Sequence, residues 1–146
     1  MANVFPTRPA RLDFGGKGFD APSIDPLRKG STFRRRIVTE DYDLTGHEIR
    51  MSVKENYGVA PEVFFSTTET DPTEPRIEID PADGQWFELA MPADKTALLD
   101  AGDGSCFPRR KKYRYDLEII TPAPDNKVFA FLEGEFWIVD ELTTEA

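Results

Sequence analysis

The segment 113–143 carries the pattern that most constrains the fold. Tyr113, Tyr115, Leu117 and Ile119 alternate with Arg114, Asp116 and Glu118. This two-residue period is typical of a strand with one buried face. The two prolines and the Asp-Asn pair in 121–126 predict a chain reversal. Apolar runs at 127–132 and 135–139, separated by Glu133-Gly134, then predict a three-stranded antiparallel meander. Because its apolar face must be covered, the rest of the chain should supply a second sheet.

The remaining body is predicted to contain several short strands. We place them at 31–38, 47–54, 63–66, 77–79 and 85–91, followed by a short helix that starts near Pro92 and is stopped by Gly102. The pair 63–66 and 77–79 should form a hairpin with a loose loop, and the charged middle of 31–38 suits an edge strand. Twelve prolines and ten glycines in 146 residues also favour short strands over a helical bundle. The predicted fold is mainly β: an immunoglobulin-like antiparallel β-sandwich with an extended N-terminal arm and one short helix.

The first 30 residues differ from the body. Prolines and glycines interrupt them, and they show no sustained apolar periodicity. We predict an extended N-terminal arm over 1–30 and a β-sandwich domain over 31–146. Apolar residues are too frequent here for a solvated linker, which favours an arm that docks on another subunit; a disordered tail is the alternative for an isolated monomer. The predicted partner-binding anchors are Phe5, Leu12, Phe14 and Phe19.

Charge is distributed unevenly along the chain. The net charge is −9, yet residues 1–36 carry eight basic and three acidic groups, so a basic arm precedes an acidic body. The overall sign argues against general nucleic-acid binding. Two basic clusters are predicted to contact an acidic partner. They are Arg34, Arg35 and Arg36, and Arg109, Arg110, Lys111 and Lys112. Phosphate is an alternative ligand for the first cluster and packaged DNA a less favoured one for the second, and the alternative to any partner is solvation or pairing within the chain.

Residues that could carry chemistry are better explained by structural roles. His47 is the only histidine, and it lies at a predicted strand start with no evident nucleophile. Acidic clusters near residues 40, 80 and 100 match turn chemistry better than a calcium loop. Cys106 is the only cysteine and is expected to be a half-buried apolar residue, and Trp86 and Trp137 are expected in the core. We therefore predict no enzyme activity, no catalytic or metal-binding residue and no cofactor.

Several segments together resemble a known group of proteins. In order, they are 31–33 (STF), 43–50 (DLTGHEIR), 91–99 (MPADKTALL), 113–119 (YRYDLEI), 132–139 (LEGEFWIV) and 141–143 (ELT). The set, which spans residues 31–143, resembles a widespread β-sandwich domain of tailed-bacteriophage virion proteins and is similar to the amino-terminal domain of baseplate upper proteins. The resemblance implies a small immunoglobulin-like module used for attachment or decoration, and it implies no catalytic residues.

The expected function follows from this resemblance and from the arm. We expect a bacteriophage virion structural protein that acts as an assembly or adaptor module in the tail, baseplate, neck or fibre attachment. A capsid cement or decoration protein and a carbohydrate- or host-binding module are the alternatives. The expected partners are other virion proteins and further copies of the chain. No membrane is expected, and nucleic acid is disfavoured as a partner. The expected location is the virion, assembled in the host cytoplasm.

Overall fold

Two β-sheets pack face to face around an apolar core. The computed structural model describes residues 3–16, 22–103 and 109–140. The larger sheet contains Ala10–Arg11 (β1), Asp13–Phe14 (β2), Ser23–Ile24 (β3), Leu27–Arg28 (β4), Glu48–Lys54 (β6), Val63–Ser66 (β7), Arg110–Ile120 (β10) and Val128–Val139 (β11). The smaller sheet contains Phe33–Val38 (β5), Arg76–Ile79 (β8) and Trp86–Met91 (β9). A single helical turn, Ala93–Thr96 (α1), is the helix of the described residues.

The strand order is that of an immunoglobulin-like sandwich. The larger sheet runs β3-β2-β11-β10-β6-β7 and the smaller one runs β5-β9-β8. In immunoglobulin domains the second, fifth and fourth strands share one sheet, and the third, sixth and seventh share the other. This chain has the same division, with β5, β9 and β8 in the smaller sheet and β6, β10 and β11 in the larger one. The predicted β-sandwich with one short helix is confirmed. The sheet is not purely antiparallel, however, because β1, β2 and β4 each pair with β11 in parallel.

Aromatic side chains fill the centre of the core. Phe33, Phe65 and Phe136 are almost completely buried, and the Phe33 ring lies 6.0 Å from Phe65 and 5.9 Å from Phe136. The alternation predicted for β10 is confirmed, since Tyr113, Tyr115, Leu117 and Ile119 are all buried. The Tyr113 hydroxyl donates a 2.7 Å hydrogen bond to the Asp100 carbonyl. Burial of the ring raises the pKa of Tyr113 to about 12.

The predicted three-stranded meander is wrong. Residues 128–139 form one continuous strand, so β10 and β11 make a single long hairpin. The register passes from Leu117 opposite Leu132 to Glu118 opposite Ala130, which leaves Phe131 as an extra, bulged residue. Glu133-Gly134 lies inside the strand because Tyr115 pairs with Gly134 and Asp116 with Glu133. A local turn signal was therefore overridden by pairing along the whole length of β10.

The predicted hairpin between 63–66 and 77–79 is also wrong. β7 pairs with β6 in the larger sheet, whereas β8 pairs with β9 in the smaller sheet. The polar loop between them therefore crosses from one sheet to the other. The edge position predicted for 31–38 is confirmed, since β5 is the outer strand of the smaller sheet.

The helix is shorter than the segment predicted to contain it. It ends at Thr96, whose buried hydroxyl donates to the Ser31 carbonyl at 2.8 Å and accepts from the Gly30 amide at 3.0 Å. These two bonds hold the start of β5 against the turn. Within the described ranges, no helix is long and apolar enough to cross a membrane.

Candidate interaction surface

The N-terminal segment, defined here as residues 3–16 and 22–30, lies along the edge of the larger sheet. Leu12 N donates to the Glu133 carbonyl at 3.0 Å, and Lys29 N donates to the Val139 carbonyl at 2.9 Å. The segment is extended, as predicted, but its short strands belong to the same sheet as the body. The division of the chain at residue 30 into an arm and a sandwich domain stays a prediction.

The predicted anchor residues pack on this chain. Phe14 is completely buried, with its ring 5.1 Å from Tyr115 and 5.0 Å from Phe136. Phe5 is 8% exposed and stacks on Tyr42 with ring centroids 5.0 Å apart, and Leu12 is partly buried against the core. Phe19 lies outside the described residues. A role as anchors on another subunit stays a prediction for these residues, and it would require the segment to leave its own sheet.

Three further residues hold the segment where it crosses β11. The Asp13 side chain is buried, and its Oδ1 accepts a 2.9 Å hydrogen bond from the Glu135 amide and a 3.2 Å bond from Arg11 Nε. The Tyr115 hydroxyl donates to the Leu12 carbonyl, and burial raises the pKa of Tyr115 above its ordinary value. A Cβ at Gly134 would lie 2.5 Å from the Leu12 carbonyl oxygen, so only glycine allows this close approach.

Sequence reasoning missed these three residues. Asp13 is in a charged, proline-rich region, Tyr115 looks like an ordinary core residue, and Gly134 looks like a turn. The atoms that they contact are more than 100 positions away in the sequence. An aspartate between two apolar residues, Leu12 and Phe14, is the one local hint of a buried carboxylate.

The first basic cluster is paired within the chain. Arg34 Nη1 and Arg36 Nε lie 2.6 and 3.3 Å from the carboxylate oxygens of Glu88, and the Arg36 guanidinium lies 3.6 Å from the centroid of the Trp86 ring. Arg35 points the other way and donates to the carbonyls of Asp25 and Pro26 at 3.1 and 2.8 Å. Burial lowers the pKa of Arg35. These three arginines therefore make contacts within the chain, and their predicted contact with an acidic partner stays a prediction.

The second basic cluster is only partly paired. Lys111 Nζ lies 2.8 Å from Asp100 Oδ2 and 3.4 Å from Glu55 Oε2, and its hydrogen bond to Asp100 raises the pKa of Lys111 and lowers that of Asp100. The Arg110 guanidinium lies 5.9 Å from the centre of the Trp137 ring. Arg109 and Lys112 are exposed, and neither has a salt-bridge partner within the part of the chain that the structure describes.

Lys112 belongs to a polar cleft on the outer face of the larger sheet. The cleft, of about 520 Å³, is lined by Arg11, Tyr57, Lys112, Arg114, Tyr115, Glu133, Gly134 and Glu135. Tyr57 is 94% exposed and borders a second, smaller depression that reaches Lys54 and Asp116. The face thus combines positive, negative and aromatic groups that are accessible to a partner.

The acidic loops use their carboxylates in turns. Asp43 Oδ1 accepts from Thr45 N at 3.0 Å, Asp80 Oδ1 from Ala82 N at 3.0 Å and Asp100 Oδ1 from Gly102 N at 2.8 Å. Hydrogen bonds from Thr45 lower the pKa of Asp43. Among the described residues, no three His, Cys, Asp or Glu side chains are grouped to hold a metal. Cys106 lies outside the described residues.

His47 and the two tryptophans make contacts within the chain. His47 Nδ1 lies 3.1 Å from the Thr45 carbonyl, and its other ring nitrogen lies 3.5 Å from Asn3 Nδ2. Trp86 is covered by Arg36. Trp137 lies against Gly16, where an added Cβ would be only 2.8 Å from its indole nitrogen. Neither indole is fully buried, which differs from the core positions expected.

The strand order and the edge segment together define the chain as an immunoglobulin-like β-sandwich. Comparison with protein families gives no match, and comparison with curated proteins gives none either. Among solved structures, the chain is similar to the NK cell receptor NKp44, a triggering partner in natural cytotoxicity, at 16% identity and a TM-score of 0.42. That alignment covers 92% of this chain and 99% of the receptor chain.

Proposed function

We propose that this chain is a non-catalytic assembly module of a bacteriophage virion, in which the sandwich joins neighbouring proteins of the tail, baseplate, neck or fibre attachment. The phage context is supported by the resemblance over residues 31–143 to virion β-sandwich domains. The assembly role is supported by the way in which the N-terminal segment attaches to the sheet edge.

That attachment is the observation that carries the proposal. The segment adds to β11 through backbone hydrogen bonds and one deeply inserted ring, Phe14. Extended peptides that bind another protein by strand addition use the same combination of main-chain bonds and side-chain pockets. The edge of β11 is therefore suited to receive the equivalent segment of a neighbouring copy, with the same contacts formed between chains instead of within one.

Particle composition tests the proposed location. Quantitative mass spectrometry of density-banded phage particles should find this chain at a fixed multiple of a known virion protein, and a high-salt wash should not remove it. Its absence from intact particles, or a variable amount that is lost on washing, would contradict the virion assignment.

A disulfide trap tests the exchange of the segment. Arg11 lies opposite Glu133 in the pairing of β1 with β11, and both residues are exposed. The double variant Arg11→Cys with Glu133→Cys, made in a Cys106→Ser background, therefore reports which chain supplies the segment. Exchange predicts disulfide-linked multimers on non-reducing gels after assembly. The matched control is Arg114→Cys with Glu135→Cys, which lie opposite each other within the β10–β11 hairpin and should link only within a chain. If the test pair also gives monomers alone, the segment is not exchanged.

Among the alternatives, the cement-protein role uses the same kind of contact and differs only in its location on the particle. A carbohydrate-binding role has less support, because Arg36 covers Trp86 and Gly16 lies against Trp137. Sugar recognition through these rings would require one of them to be uncovered.

A further inference from the structure

The outer face of the larger sheet carries two adjacent rows of charge. The register places Lys54 opposite Arg114 and Arg114 opposite Glu135, which forms the first row. Two residues along the strands, Ser52 lies opposite Asp116 and Asp116 opposite Glu133, which forms the second row. Directly paired residues share a face of the sheet. The first row is therefore predominantly positive. The second row is negative from Asp116 to Glu133 and ends at the sheet edge with Arg11, which lies opposite Glu133.

These rows place like charges next to each other. Lys54 lies beside Arg114, and Asp116 lies beside Glu133, and like charges directly opposite each other destabilise a sheet. The next row shows that this sheet can pair opposite charges at the same spacing, because Arg50 Nε lies 3.3 Å from Glu118 Oε1. Within the described ranges, none of Lys54, Arg114, Asp116 and Glu133 has a salt-bridge partner within 4.0 Å. Their charges are thus available to a partner.

Exposed aromatic groups accompany the unpaired charges. Phe64, opposite Ser52 in the second row, is 45% exposed, and Tyr57, beyond the end of β6, is 94% exposed. Aromatic residues are enriched in protein interfaces, where their large area is removed from water. This face therefore offers both apolar contact and charge recognition.

We propose that this face binds the same face of a second copy of the chain. The two copies would be related by a two-fold axis in the plane of the interface, at right angles to β10. This axis passes between Arg114 and Asp116 and reverses the order of the two rows. Arg114 of each copy would then face Asp116 of the other, and Lys54 would face Ser52, which lies beside Asp116. Glu133 would face Glu135, whose charge is already partly balanced by Arg11 at 3.8 Å. A two-fold interface uses one self-complementary patch on both subunits, and displaced rows of opposite sign provide that complementarity.

The contact rests on the proposed assembly role and specifies one surface for it. It differs from the exchange of the N-terminal segment, because Arg114 and Asp116 of β10 and Lys54 of β6 do not pair with that segment; only Glu133, which lies opposite Arg11, belongs to both surfaces. The charge-reversal variants leave Glu133 unchanged, so the two contacts are tested independently.

Charge reversal tests the pairing on the purified full-length protein. The acidic variant is Lys54→Glu with Arg114→Glu, and the basic variant is Asp116→Lys. We expect wild type to form a dimer by light scattering and sedimentation, with a weaker dimer at higher salt. Each variant alone should lose at least tenfold in association, and an equimolar mixture should regain it. The control reverses Asp125 and Lys127, which are both exposed in the β10–β11 turn, and should dimerise like wild type.

Circular dichroism and thermal unfolding of each variant check that it is folded. A monomeric wild type at all concentrations would overturn the proposal. So would a mixture that fails to associate, or variants that dimerise as wild type does. Presence of the chain in phage particles together with a monomeric purified protein would overturn this contact and leave the proposed function intact.

Discussion

Gly134→Ala tests whether the N-terminal segment is held as tightly as the structure indicates. The new methyl group would lie 2.5 Å from the Leu12 carbonyl oxygen, 2.7 Å from Asp13 Oδ1 and 3.1 Å from the Leu12 carbonyl carbon. Two of these atoms belong to backbone that cannot rotate away. The segment must therefore move outward from β11.

The cost follows from the bonds at this crossing. Leu12 N donates to the Glu133 carbonyl at 3.0 Å, Glu135 N donates to Asp13 Oδ1 at 2.9 Å, and the Tyr115 hydroxyl donates to the Leu12 carbonyl. Overpacking costs about 1–3 kcal/mol, and each weakened hydrogen bond costs about 0.5–1.5 kcal/mol. With partial relaxation, we expect the free energy of unfolding to fall by about 2–4 kcal/mol.

Urea denaturation and amide hydrogen exchange measure this effect. Gly58→Ala is the matched control, because Gly58 has a positive φ of 82° and nothing within 4 Å of an added Cβ. It should cost only the left-handed backbone penalty of about 1–2 kcal/mol. The amides of Leu12 and Glu135 should exchange faster in Gly134→Ala alone. Equal losses in the two variants, with these amides still protected, would refute the close contact.

Three further measurements test the core, the buried tyrosine and the arginine pairs. Phe14→Ala should lower the free energy of unfolding by about 3–5 kcal/mol, whereas Val4→Ala, at an 86% exposed position, should change it by less than about 0.5 kcal/mol; similar losses would place Phe14 outside the core. Burial raises the pKa of Tyr115 in the folded state, so its stabilising contribution is complete below the unfolded value of about 10 and is lost as the pH rises above it. Tyr115→Phe should reduce this alkaline loss, measured by urea titration between pH 8 and 12, and an unchanged slope would contradict the prediction. Glu88→Gln should cost about 1 kcal/mol or less, because Arg34 and Arg36 are half exposed and such pairs are weak; a salt-independent loss above about 3 kcal/mol would indicate a buried network instead.

The strands and their inward faces were predictable because they depend on local alternation. Tyr113, Tyr115, Leu117 and Ile119 repeat every second residue, and any sheet that covers one face of such a strand must bury all four. The edge position of β5 was predictable for a similar reason, since consecutive arginines are poorly tolerated between two neighbouring strands.

Strand partners were not predictable from the same local patterns. β7 and β8 are both short and apolar, and nothing in either sequence specifies which sheet it joins. The choice depends on their pairing with β6 and β9. Similarly, Glu133-Gly134 has the composition of a turn, but pairing with Tyr115 and Asp116 keeps it extended.

The sequence by itself determined a mainly β chain, the inward face of each strand and an uneven distribution of charge, because these follow from residue order within a few positions. Only the tertiary structure decided that Phe14 inserts into the chain's own core and that Arg34 and Arg36 share Glu88. It also decided that Arg114 and Asp116 lie on an open face with no salt-bridge partner among the described residues. These contacts join residues that are distant in sequence, and their energies depend on which atoms the packed sheets bring within a few ångströms.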